Sequence, residues 1–147
     1  MAVKRMGQQT IVLPNKPAIL AGAAWVGPKE GKGPLGGLFD HVTEDESYGQ
    51  QSFELAERQM VLDAVRMAVR KASLRESDIQ FLLGGDLLNQ IMAASLAVRE
   101  LHTPFIGLYG ACSTMAESLC LASMLVDGGY LRHAVCTASS HFCTAER

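Results

Sequence analysis

Between Cys112 and Val126 the chain carries Met115, Ala116, Leu119, Cys120, Leu121, Ala122, Met124, Leu125 and Val126. At 3.6 residues per turn these side chains cover nearly the whole circumference of one helix. A helix that is apolar all round is buried on every side. A sheet with solvent-facing helices does not bury one in that way; the helix needs a further layer over its far face. No other segment of the 147 residues is left over to supply that layer. The expectation is therefore a domain whose last helix lies between two layers, with the outer one contributed from elsewhere.

Upstream, strand and helix patterns alternate. Residues 1–16 read as a polar arm with a short edge strand at Thr10–Leu13, and Ala18–Val26 reads as a buried strand. Gly27 to Gly37 holds five glycines and two prolines and reads as a loop. The acidic run Glu44-Asp45-Glu46 extends it as a solvated stretch rather than a metal site. Ser52 is placed to cap a helix reaching about Ser73, with Glu54 in its first turn. Met60, Val61, Ala64, Val65, Ala68 and Ala72 share one face of it, and Gln59, Asp63, Arg66 and Arg70 the opposite one. Strands follow at Ile79–Leu83, Pro104–Tyr109 and Leu131–Ala138, separated by helices at Asn89–Leu101 and Cys112–Val126; Asp127-Gly128-Gly129 closes the last helix. The order β-α-β-α-β-α-β with mostly apolar strands predicts an α/β fold, a mostly parallel sheet with helices packed on it.

Composition excludes several function classes. Hydrophobic residues make up 48% and charged residues 19%, too apolar for a disordered chain. The net charge of −2 supplies no basic excess for nucleic acid. The longest apolar run, Ala18 to Gly27, is shorter than the ~20 residues a membrane-spanning helix needs, and the N-terminus lacks the apolar core of a secretory signal. The four cysteines fall in the last third with no C-x-x-C pair, which argues against a zinc site and for a reducing compartment. The glycines match neither the dinucleotide nor the phosphate-loop spacing, so no cofactor and no metal are expected.

The sharpest local feature is Gly107-Leu108-Tyr109-Gly110-Ala111-Cys112-Ser113-Thr114. A strand ends, turns tightly and sets Cys112 at the first turn of the apolar helix. The positive end of a helix stabilises a thiolate, and its free N–H groups hold an oxyanion, as in a nucleophile elbow. The competing reading is a small residue fitted to a tight turn. Ser139-Ser140-His141 follows the last strand, at the carboxyl edge where open α/β sheets bind ligands; His141 either faces the same crevice as Cys112 or is a surface histidine. Asp86 is placed to cap the second helix, and Asn89 and Gln90 beside it could face a ligand or a neighbouring chain. Cys120 and Cys136 read as core residues, and His41, His102 and His133 as solvent-facing.

These pieces carry a resemblance. Gly-Ala-Cys-Ser-Thr over Gly110–Thr114, opening a buried third helix, resembles the N-terminal half of the thiolase and ketoacyl synthase superfamily. Gly27–Glu30, Gly33–Gly36, Leu38–Asp40, Ala56–Arg58, Gly85–Gln90, Asp127–Gly129, Ser139–His141 and Thr144–Arg147 narrow it to the stage V sporulation protein AD family. The resemblance implies a thiolase-like fold of two related halves, of which residues 17–147 would be the first, usually paired as a homodimer. It implies binding of dipicolinic acid, with calcium, and joint action with other subunits of a spore membrane channel that loads it into the forespore. It implies a place in the cytoplasm or at the periphery of the spore inner membrane, and it leans against an enzymatic role, since members of the family are not known as working thiolases.

Dipicolinate is a flat dianion, so its pocket should offer donors; Cys112, Ser113, Ser139, Ser140 and His141 are the expected ligand-binding residues. Two other functions stay open at this point. One is an acyl-transferring thiolase homologue with Cys112 as nucleophile. The other is a self-contained α/β interaction domain, against which the all-round apolar helix argues.

Overall fold

The computed structural model describes residues 4–87 and 91–141. Strands β1 (Arg5–Met6) and β2 (Thr10–Ile11) form an antiparallel hairpin in the N-terminal arm. β3 (Trp25–Val26) pairs in parallel with β4 (His41–Val42), and a helical turn, α1 (Pro28–Gly31), lies between them. Then come α2 (Phe53–Lys71), β5 (Phe81–Asp86), α3 (Met92–Leu101), β6 (Phe105–Gly107), α4 (Thr114–Asp127) and β7 (Ala134–Ser139). Ser52 caps α2 as its sequence position predicts, its Oγ accepting from the Leu55 amide at 3.3 Å.

β5 is the central strand, with β6 on one side and β7 on the other, all parallel. The fold is therefore α/β on a parallel sheet. Side chains alternate between faces along a strand. Leu82 and its register partner Val135 point to one face and join Val61, Leu62, Val65 and Val69 of α2 with Ala97, Val98 and Leu101 of α3 in the core. Leu83 and Cys136 point to the other face, where Ser118 of α4 reaches the Cys136 thiol. The chain moves from β5 to β6 through α3, then back past β5 to β7 through α4. Right-handed crossovers in opposite directions put their helices on opposite faces.

Several expectations are corrected. Only Trp25–Val26 of the expected strand Ala18–Val26 forms a strand, and it joins β4 in a separate two-stranded sheet. Ile19 is 78% exposed and Leu20 60%. That alanine-rich run between Pro17 and Pro28 has little branched surface to hold a place in a sheet. The glycine-rich loop contains α1 and a 3-10 turn at Gly36–Leu38. His41 is half-buried in β4 and stacks on Trp25 with ring centroids 4.1 Å apart, so it does not face solvent. Cys120 is exposed rather than part of the core.

The apolar helix is covered on its sheet side alone, and the side expected to lie under a further layer faces outward. The residues α4 buries are Thr114, Ser118, Ala122 and Asp127. Met115, Leu121 and Met124 are each about 40% exposed. Thr114, Ser118 and Ala122 repeat every four residues, and this small stripe lets α4 lie close to the sheet while its larger apolar side chains face outward.

Asp127, at the other end of α4, anchors the arm. Its carboxylate accepts from Lys4 Nζ and from the Asn15 amide at 2.7 Å, while Asn15 Nδ2 donates to its carbonyl at 2.8 Å. The Lys4 hydrogen bond holds the Asp127 carboxyl below its ordinary range. A depressed carboxylate stabilises the fold at neutral pH, and that contribution fades as pH falls from the ordinary Asp value through the folded one. Asp127→Ala should free the arm, so that trypsin cuts after Arg5 several-fold faster at pH 7. An unchanged cleavage rate would show that the arm is held by something else.

Candidate functional site at the carboxyl edge of the sheet

The carboxyl ends of β5, β6 and β7 form one rim. The connection leaving β5 goes to the face of α3 and the one leaving β6 goes to the face of α4. Adjacent parallel strands with diverging connections open a crevice above their ends, where ligands of such sheets bind. Gly84 and Gly85 keep the rim tight. A Cβ on Gly84 would lie 2.1 Å from the Thr137 carbonyl oxygen, and one on Gly85 2.2 Å from that of Leu108.

On the α4 side, Cys112 sits in a 3-10 turn, Ala111–Ser113, that leads into the helix, so it precedes α4 rather than opening it. Its thiol is exposed. Ala111 adopts φ +47°, a left-handed conformation that non-glycine residues rarely take, and this sharp turn is what brings Cys112 to the rim. Ser113 Oγ lies 2.8 Å from the Gly110 carbonyl oxygen and beside Glu117 Oε1. Thr114 is buried, and its Oγ1 has no hydrogen-bond partner among the described residues.

On the α2–α3 side, Asp86 accepts from the Ile91 amide at 2.9 Å and the Ala93 amide at 3.0 Å. It thus caps α3 from across the connecting loop, while Ile91 holds the cap position itself at φ +69°. Asn89 and Gln90 lie outside the described residues. Ser139, register partner of Asp86, donates from Oγ to Glu57 Oε1 at 2.8 Å. His141 Nε2 donates to the Glu46 carbonyl at 2.7 Å, and its ring packs on Phe53 with centroids 5.0 Å apart. Ser140 is exposed.

Strand parity thus divides the expected binding residues. Ser139 shares the α2 face with Asp86, whereas Cys112 and Ser113 belong to the turn into α4 on the other face. β6 and β7 flank β5, so their ends are about 10 Å apart, two strand spacings. The two groups share a rim without forming one hydrogen-bonded cluster.

Glu57 was missed at the sequence level. It is 3% exposed, and its Oε2 has no hydrogen-bond partner among the described residues. Burial raises its carboxyl above the ordinary range, and the charge of Asp86 pushes the same way, against the Ser139 hydrogen bond and His141. A signal was present: Glu57, Val61, Val65 and Val69 repeat every four residues, so Glu57 continues the buried stripe of α2.

The family model described as stage V sporulation protein AD matches residues 7–147. The Stage V sporulation protein AD of Bacillus subtilis (strain 168) is 45% identical over 145 residues, 99% of this chain and 43% of that protein. The chain therefore spans less than half the length of this relative.

Proposed function

We propose a function from one premise: the chain belongs to the stage V sporulation protein AD family, a family of sporulation proteins. Within sporulation, it binds dipicolinic acid and helps its uptake into the forespore, together with the other subunits of a spore membrane channel. No described helix is long and apolar enough to cross a membrane; the chain is read as acting in the cytoplasm or at the periphery of the spore inner membrane. The fold is read as the first half of a thiolase-like protein that pairs as a homodimer. The outward apolar side of α4 supports that reading, since a second layer would cover Met115, Leu121 and Met124.

The observation that carries the ligand assignment is the rim itself. Supporting it are the diverging connections that open the rim between β5 and β6, with the Cys112–Thr114 turn following β6 and Ser139, Ser140 and His141 at the end of β7, about 10 Å away. A small dianion fits such a place because the 14-residue helix α4 directs its positive end there. Ser113, Ser139 and His141 already donate within the protein, to Gly110 or Glu117, to Glu57 and to the Glu46 carbonyl, so each serves the ligand only by turning from that partner. Cys112 is read as a lining residue rather than a nucleophile.

Calorimetry of dipicolinate with the full-length protein tests the assignment. Binding should appear at or below millimolar ligand, and Ser139→Ala should weaken it about tenfold or more, the worth of one hydrogen bond to a charged group. Absence of heat at millimolar dipicolinate would sink the assignment.

A further inference from the structure

The Ser139–Glu57 contact has a chemical consequence for any anion at the rim, and the inference drawn from it rests on the ligand reading above. A hydroxyl has one proton. Ser139 donates that proton to Glu57 Oε1 at 2.8 Å, which leaves its oxygen only lone pairs to offer elsewhere. A carboxylate ligand needs donors, so in this state Ser139 repels it. The surroundings add to the repulsion. The second Glu57 oxygen is buried and without a hydrogen-bond partner among the described residues, and Asp86 faces it from the end of β5.

We infer that Ser139 turns its proton toward an anionic ligand only when Glu57 is itself protonated, so that dipicolinate binding takes up one proton at Glu57. The proton comes from solvent and stays on the Glu57 carboxyl, which then donates to Ser139 Oγ. The Ser139 hydroxyl rotates and donates to a ligand carboxylate oxygen. No covalent bond is made or broken apart from the O–H bond formed at Glu57. Glu57 is a positioning residue in this scheme, acting through Ser139.

The charged groups around Glu57 fit a single titrating site. From β5, Asp86 disfavours its negative charge, and from beyond β7, His141 favours it. From α3, Glu100 is paired with Arg58 at 2.7 Å, beside a surface that also carries Arg99 and His102. β3 brings Trp25 and Val26, neither of them acidic or basic. On α2 itself the nearest charged neighbours in sequence are Glu54 and Arg58. Burial is the largest influence and favours the neutral acid.

Calorimetry of dipicolinate into the full-length protein, in two buffers of different ionisation enthalpy, reads the proton directly. Above the Glu57 titration range the wild type should take up close to one proton per ligand, and its affinity should fall about tenfold per pH unit. Glu57→Gln provides an N–H that donates to Ser139 Oγ at every pH. That variant should bind with no proton uptake and with an affinity flat across the same range. Heat without proton uptake in the wild type, or a pH slope that survives in Glu57→Gln, overturns the inference while leaving dipicolinate binding intact. No heat at any pH overturns the ligand reading, and this inference with it.

A second readout needs no ligand. A raised carboxyl pKa means that the folded state holds the proton more tightly than the unfolded one, so wild-type stability falls as pH rises from the ordinary Glu value through the raised one. Glu57→Gln should remove that decline. Parallel stability curves for the two proteins would overturn the proton's place on Glu57.

Discussion

Gly84→Ala and Gly85→Ala should each destabilise the protein by about 3 kcal/mol, at the upper end of what overpacking costs. The reason lies in what the new methyl would meet. At Gly84 it is the Thr137 carbonyl oxygen, 2.1 Å away, and at Gly85 the Leu108 carbonyl oxygen, 2.2 Å away. Both are backbone atoms held in place by the sheet: Leu108 donates from its amide to the Gly84 carbonyl at 2.9 Å, and Thr137 is the register partner of Gly84. Neither can swing aside as a side-chain tip would. The unfolded-state gain from Gly→Ala, about 0.4–1 kcal/mol, is too small to offset such a clash. Gly37→Ala is the control, because nothing lies within 4 Å of a Cβ there and its φ is not in the left-handed region. Denaturant unfolding should show a large fall for the two rim variants and little change or a slight gain for Gly37→Ala. Equal midpoints for all three would contradict the close approach of strands at the rim.

Asp86→Ala should cost about 3 kcal/mol by a different route. Asp86 is buried, and its two oxygens accept from the Ile91 and Ala93 amides at the start of α3. Truncation leaves two amide groups without acceptors in a place water reaches poorly, and each such loss costs about 1–3 kcal/mol. It also frees Ile91 from the contact that holds its branched side chain at φ +69°. Asp86→Asn keeps one oxygen acceptor and should lose roughly half as much. Hydrogen exchange offers the local check: amides in the first turn of α3 should exchange much faster in Asp86→Ala, while those of α4 should change only by the global loss. Unchanged protection at Ile91 and Ala93 would contradict the capping role. Because the charge of Asp86 also raises the Glu57 carboxyl, Asp86→Asn should move the Glu57 titration to lower pH.

The sequence made the sheet and the cap of α2 legible because their signals are local. Ser52 lies at the helix start with Glu54 in the first turn, and the apolar runs of β5, β6 and β7 are bounded by glycines or turns. What it hid was orientation. Apolar residues all round α4 say that the helix has no polar side, but not which side meets the sheet; the small stripe Thr114, Ser118 and Ala122 decides that by allowing close approach. The run Ala18–Val26 was misread because apolar character alone does not make a strand when alanine dominates it. At the rim, Cys112, Ser139 and His141 were visible as residues following strand ends, whereas their division between two faces needed the register of β5 with β7. Glu57 was hidden in a different way. Its contacts are with residues 82 and 84 positions further along the chain, so only its place in the buried stripe of α2 could have marked it.

The most direct test of the ligand site is amide-resolved NMR of the full-length protein during titration with dipicolinate. The account predicts saturable shifts concentrated at Gly110–Thr114 and at Ser139–His141, with the groove lined by Arg58, Leu96, Arg99, Glu100 and His102 unmoved. Saturable shifts confined to that groove, with both rim segments silent, would contradict it.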